Sequence, residues 1–156
     1  MLSLEPAQNE QQFEELLQII YHQQSAYLHP VLDLIELTWE QFGNYFRSNG
    51  TAYRIYRAEN LLGLCWVAER LNILDLLGLI IKPEYQGQGV GTQALAWLEE
   101  HHPASIQAIE LQVHASNPRA KALYERLGYQ VIAFSESSCF YTMQKALKPG
   151  KAGLSE

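Results

Sequence analysis

The stretch Ile80-Ile81-Lys82-Pro83-Glu84-Tyr85-Gln86-Gly87-Gln88-Gly89-Val90-Gly91-Thr92 carries the most concentrated chemistry in the chain. It leaves an apolar run, passes three glycines at alternate positions and enters a helical pattern. Glycine accepts positive φ and lets backbone approach a ligand closely. The first turn of a helix adds unpaired N–H groups and the positive end of the peptide dipoles. Together these favour an anion, above all phosphate or pyrophosphate. A P-loop requires GxxxxGK[ST], and Thr92 follows Gly91 with no lysine. A dinucleotide fingerprint requires GxGxxG after an early strand, whereas Gly87, Gly89 and Gly91 are differently spaced and lie mid-chain. A glycine-rich turn without a ligand is the third reading.

Asp75 is the other conspicuous residue. It is the only charge in the run Ile73–Ile81, where an unpaired buried carboxylate would be costly, and it reads either as a group with chemistry to do or as a strand-end residue beside the Asn72 turn, paired with an arginine or solvent. The two cysteines, Cys65 and Cys139, show no CxxC spacing, and the five histidines form no metal pattern, so no metal is expected. Cys65 lies in Leu61–Val67 and reads as a small buried hydrophobe.

These groups need a scaffold, and 156 residues with 47% hydrophobic content suffice for one core. The expectation is a single domain over residues 1–147 and a flexible tail over 148–156. The charge sum, 11 − 17 = −6, argues against nucleic acid as a partner, because phosphate binding calls for a basic face. No apolar run reaches the roughly 18–20 residues of a bilayer span, so no membrane partner is expected. The Met1–Pro6 segment lacks a basic region followed by an apolar one, which with the scarce cysteines points to the cytoplasm.

Phe13, Leu16, Leu17, Ile20 and Tyr21 mark a first helix, with Asn9 and Gln12 as its capping pair. Thr38 should cap a second helix that ends at Ser48, before Asn49-Gly50. Between the two, Tyr21–Pro30 reads as a polar, aromatic loop suited to lining a pocket. Thr51–Arg57 and Leu61–Glu69 read as a hairpin, and Ile73–Ile81 as a strand covered on both faces and closed by Pro83. Val90, Ala94, Trp97 and Leu98 then form a helical stripe, and Ile106–His114 an alternating strand. Ala120, Leu123, Tyr124 and Leu127 make another helix, ended by Gly128, before strands at Tyr129–Phe134 and Cys139–Lys145. The order predicts an α/β fold, a mixed sheet with helices on both faces.

Gln86-Gly87-Gln88-Gly89-Val90-Gly91 resembles the (Gln/Arg)-x-x-Gly-x-(Gly/Ala) motif of the GNAT superfamily of N-acetyltransferases. Downstream, Asn117, Ala120, Tyr124, Gly128 and Tyr129 are similar to that family's Asn-x-x-Ala-x-x-x-Tyr-x-x-x-Gly-(Phe/Tyr) segment. The resemblance covers roughly residues 50–145. It implies the acyl-CoA N-acyltransferase fold, with a mostly antiparallel sheet of six to seven strands. It also implies transfer of an acetyl group from acetyl-CoA to a primary amine, on a small molecule or a peptide, by direct attack in a ternary complex. A non-catalytic acyl-CoA sensor on the same fold is the alternative. Homodimers are common in the family.

The resemblance carries residue roles with it. The backbone amides of Gln86, Gly87, Gln88, Gly89, Val90, Gly91 and Thr92 would hold the pyrophosphate. The strand end Leu79, Ile80 and Ile81 would pair with the pantetheine arm, and an N–H near Ile80 would polarise the thioester carbonyl. Asn117 would hold the pantetheine or the chain around it. Tyr124 would contact the cofactor and protonate the departing thiolate. Asp75 stands eleven residues before Gln86, where some members place a glutamate base, so it is the candidate acceptor of the amine's proton. Other members carry a glutamate on the later strand, where this chain has Gln112. His114 is the substitute on that face.

Overall fold

The structure, a computed structural model, describes residues 2–34 and 36–148. Among the described residues seven strands and four α-helices follow one another as β1 (Leu2–Pro6), α1 (Glu10–Leu34), α2 (Trp39–Ser48), β2 (Thr51–Arg57), β3 (Asn60–Arg70), β4 (Ile73–Ile81), α3 (Val90–His101), β5 (Ala108–His114), α4 (Pro118–Arg126), β6 (Gln130–Ser135) and β7 (Phe140–Ala146). The strands form one mixed sheet in the order β1-β2-β3-β4-β5-β7-β6. The β1–β2, β5–β7 and β6–β7 pairs are antiparallel, while β4 and β5 run parallel. Among the described residues no helix is long and apolar enough to cross a membrane.

The chain divides into two compact units, one of Met1–Trp66 with Gly78–Ala94, the other of Val67–Leu77 with Leu95–Glu156. In the first, α1 and α2 pack apolar faces into a core of Leu16, Leu17, Ile20, Phe42, Phe46, Leu64, Trp66 and Ile80. Phe42 and Phe46 meet the Trp66 ring edge-on at 6.0 and 4.9 Å, and its indole N–H donates to the Asn49 carbonyl at 2.7 Å. Each such aromatic pair adds about 0.5–1.5 kcal/mol beyond its buried area. Thr38 caps α2 in a reciprocal box with Gln41, and Arg47 binds Glu10 and Glu14 of α1. Asn9 accepts from the Gln12 amide at the start of α1, as its spacing predicts.

The segment 21–30 is not a loop, because α1 continues through it to Leu34. Its Gln and His residues break the apolar stripe without breaking the helix, and Leu32 returns to the core. The tail expected over residues 148–156 lies outside the described residues apart from Lys148.

In the second unit, Ile109, Leu111 and Val113 of β5 are buried on one face, with Met143 of β7 directly opposite Leu111. Lys145 of β7 binds Glu99 of α3 at 2.8 Å. β6 is one edge strand of the sheet and is exposed along its whole length. β4 is less enclosed than its composition predicts. Leu74, Leu76 and Ile80 are buried, but the intervening positions are open to varying degrees and Leu77 is 40% exposed.

Candidate functional site

The residues singled out in the sequence fall into two groups. The first belongs to the unit built on Met1–Trp66 and Gly78–Ala94. β4 ends at Ile81, a short 3-10 turn spans Pro83–Tyr85, and α3 begins at Val90. Gly87 and Gly89 have φ of 76° and 79°, a region that residues with a Cβ rarely adopt. Gly91 has no such requirement, since a Cβ there would sit an ordinary 3.7 Å from the Leu79 side chain.

Two glutamine side chains fasten this loop from within. Gln86 Nε2 donates to the Ile81 carbonyl at 2.9 Å, and Gln88 Nε2 to the Glu84 carbonyl at 3.4 Å. The first intrahelical bond of α3 runs from Gln93 N to Gly89 O at 3.0 Å. Among the described residues no protein acceptor bonds the amides from Gly87 to Thr92. Val90 buries its side chain, so only its backbone is offered to a ligand. The result is a row of neutral donors at the positive end of a helix, fit for a diphosphate. Thr92 and Val90 are at the first turn, and Leu79, Ile80 and Ile81 form the strand end behind it.

The β3 strand presses on that strand end. Lys82 N donates to the Leu62 carbonyl at 2.8 Å, and a Cβ on Gly63 would collide with the Ile80 carbonyl oxygen. The parallel register of β4 with β5 runs from Ile73↔Ala108 to Leu76↔Leu111, while β4 itself continues to Ile81.

The second group belongs to the other unit. Asn117 caps α4, its Oδ1 accepting from Ala120 N at 3.2 Å. Tyr124 lies two turns further along the same helix, half-buried, with its ring edge against Tyr129 at 5.9 Å. Gly128 ends the helix with φ of 100°.

Asp75 is not alone. Arg70 grips it as a fork, Nε to Oδ2 and Nη2 to Oδ1, both at 2.9 Å. The same Nη2 reaches Glu110 at 3.0 Å, the residue opposite Asp75 in the β4–β5 register. Gln144 donates to the other Glu110 oxygen at 2.8 Å. Two facing carboxylates repel, and the shared guanidinium offsets this. In turn Asp75, and secondarily Glu110, raises the Arg70 pKa above its ordinary value. His114 is also engaged. Its Nδ1 accepts from Ser116 N at 3.1 Å and lies 2.7 Å from Ser116 Oγ, which assigns the ring proton of the neutral form to Nε2.

Cys65 is wholly buried, which pushes its thiol up to about 12, and Cys139 is exposed. Among the described residues no three His, Cys, Asp or Glu side chains cluster as a metal site would require.

Sequence reasoning allowed Asp75 an arginine or solvent partner without naming Arg70, and it missed Glu110 and Arg57, the last of which donates to Gln88 Oε1 at 3.1 Å. The Arg70 signal was present, since Leu71-Asn72 turns the chain back and sets Arg70 beside Asp75. Arg57 gave none, being 31 residues from its partner.

Comparison with known proteins bears on both groups. Residues 12–129 match the sequence profile of the Acetyltransferase (GNAT) family. Over 60 residues the chain is 38% identical to the [ribosomal protein bS18]-alanine N-acetyltransferase of Escherichia coli, a match that covers 38% of this chain. That match spans about 40% of the relative's own length. Among solved structures, an acetyltransferase from Thermus thermophilus superposes with a TM-score of 0.73 at 18% identity, covering 94% of this chain and 97% of the other. An N-acetyltransferase from Thermoplasma acidophilum in complex with coenzyme A gives 0.67 at 18% identity, covering 92% and 99%. At such identities the likeness establishes the fold.

Proposed function

The chain belongs to the GNAT acetyltransferase family, and on that premise we propose that it moves an acetyl group from acetyl-CoA to a primary amine by direct attack in a ternary complex. The observation that carries the reading is the row of amides from Gly87 to Thr92, which lack protein acceptors among the described residues and open a helix directly after β4. In this proposal those amides hold the diphosphate, and the strand end Leu79–Ile81 pairs with pantetheine. The Ile80 amide steadies the thioester oxygen as it gains charge. Asn117 supports the arm, and Tyr124 protonates the departing thiolate. Direct transfer is favoured over a covalent acetyl-enzyme because Cys65 is sealed in the core with its thiol held protonated.

Asp75 takes the ammonium proton in this scheme, and Arg70 must first release one of its oxygens. The fork itself favours a second role for Asp75, as one post of the ion network with Glu110. His114 is a poorer acceptor, because its unprotonated nitrogen already receives the Ser116 amide.

The test is thiol release from acetyl-CoA with a panel of amines: polyamines, amino acids, aminoglycosides, lysine peptides and a peptide with N-terminal alanine. Release with one class names the acceptor. Coenzyme binding without release for any class would replace the transferase by an acyl-CoA sensor.

A further inference from the structure

Arg57 ends β2 with its guanidinium on the glycine loop, Nη1 bonded to Gln88 Oε1 at 3.1 Å. Gln88 is itself braced, since its amide nitrogen donates to the Glu84 carbonyl. The arginine is therefore aimed at the residue between the two positive-φ glycines, Gly87 and Gly89. Its unit contains three other cations, Arg47, Arg54 and Lys82. Arg47 is spent on Glu10 and Glu14, and Arg54 donates to the Tyr56 hydroxyl while lying over its ring. Among the described residues Arg57 has no carboxylate partner. A guanidinium has five N–H donors, and one is in use here.

A single bond to a neutral amide contributes little on an exposed surface and does not by itself account for placing a cation there. Beside a row of uncharged amides in a chain of net charge −6, the same cation supplies the charge that those amides lack. We infer that Arg57 is a phosphate-binding residue of the donor site, directed by Gln88 onto a phosphate of coenzyme A. The inference rests on the acetyl-CoA reading above.

Calorimetry with coenzyme A and with 3′-dephospho-coenzyme A tests it without an acceptor. Arg57→Ala should weaken coenzyme A by about tenfold or more. Gln88→Ala should cost less, roughly two- to fivefold, because the charge remains and only its aim is lost. The Arg57→Ala deficit should shrink as salt is raised. If it vanishes with the dephospho compound the ribose phosphate is the partner, and if it persists the diphosphate is; either supports the assignment. Wild-type affinity in Arg57→Ala, or a deficit untouched by salt, would overturn it. Arg57→Gln carries the same expectation should the alanine variant fail to fold. A wild-type protein that binds neither nucleotide removes the acetyl-CoA reading, and this assignment with it.

Discussion

Gly63 of β3 lies so close to the Ile80 carbonyl of β4 that the two backbones leave no room for a side chain. An added Cβ would also stand 2.9 Å from Ile81 Cα. Both obstacles are main chain and cannot swing aside. Gly63→Ala should therefore cost about 3 kcal/mol or more in urea unfolding. Gly78→Ala, whose Cβ would sit 3.9 Å from Trp66, should stay within about 1 kcal/mol.

The loop glycines divide in the same way. Gly89 has positive φ and Gly91 does not, so Gly89→Ala should force a backbone change worth about 1–3 kcal/mol. The readout is coenzyme A affinity, which should fall by about tenfold or more in Gly89→Ala. It should remain close to wild type in Gly91→Ala.

Tyr124→Phe keeps the ring packed on Tyr129 and removes only the hydroxyl. If that hydroxyl is the acid, kcat drops by about 10²-fold while coenzyme A affinity is unchanged. Steady-state rates with the best amine, set beside calorimetry, decide it; an unaltered kcat withdraws the role.

Asp75→Asn separates the two duties of that carboxylate. As a base its loss is relieved at high pH, where the amine is already deprotonated, so the rate should recover along the acceptor's own titration. As a post of the Arg70–Glu110 network its loss is flat with pH and is accompanied by a small fall in melting temperature, Arg70 being half exposed. Rate profiles and melting curves on the one variant distinguish them.

The two thiols should behave as opposites. Cys139 is exposed and Cys65 is sealed, with a pKa pushed up to about 12 by burial. At pH 7 about one part in 10⁵ of the Cys65 thiol is ionised, so a thiol reagent should titrate one cysteine in the native protein and two after unfolding. The unfolded chain ionises Cys65 near its ordinary value of 9.0, whereas the folded chain holds the proton until about 12. The unfolded state thus binds fewer protons across that window, and stability falls as pH rises from 9.0 to about 12. Cys65→Ala should remove that part of the alkaline loss in melts run across the window.

Local signals carried the strands well. Thr51–Arg57 and Ile73–Ile81 were bounded as the structure has them, because alternation or an apolar run met a breaker at each end. Thr38 announced the cap of α2 by its residue type, while the return bond from Gln41 is seen only in the structure. Where the chain met partners far along it, the signal failed. The passage of α1 through His22 and Gln23 could not be read from a stripe that those residues interrupt. Of the glycine loop, the glycines and the helix start were legible, while Arg57 on Gln88 is a tertiary contact that nothing nearby encodes. Asp75 was legible as an oddity, but its partner came from a turn whose geometry, with Leu71 at φ of 58°, sets Arg70 back against it.

From Gln86 to Thr92 the chain contains only carboxamides, glycines, a valine and a hydroxyl. None of these changes charge across the acidity that living cells tolerate. On the proposed reading, capture of the donor by this stretch is thus indifferent to proton concentration, and any bell-shaped activity curve has its origin in the acceptor, the nucleotide's own phosphates or the side chains that shuttle hydrogen.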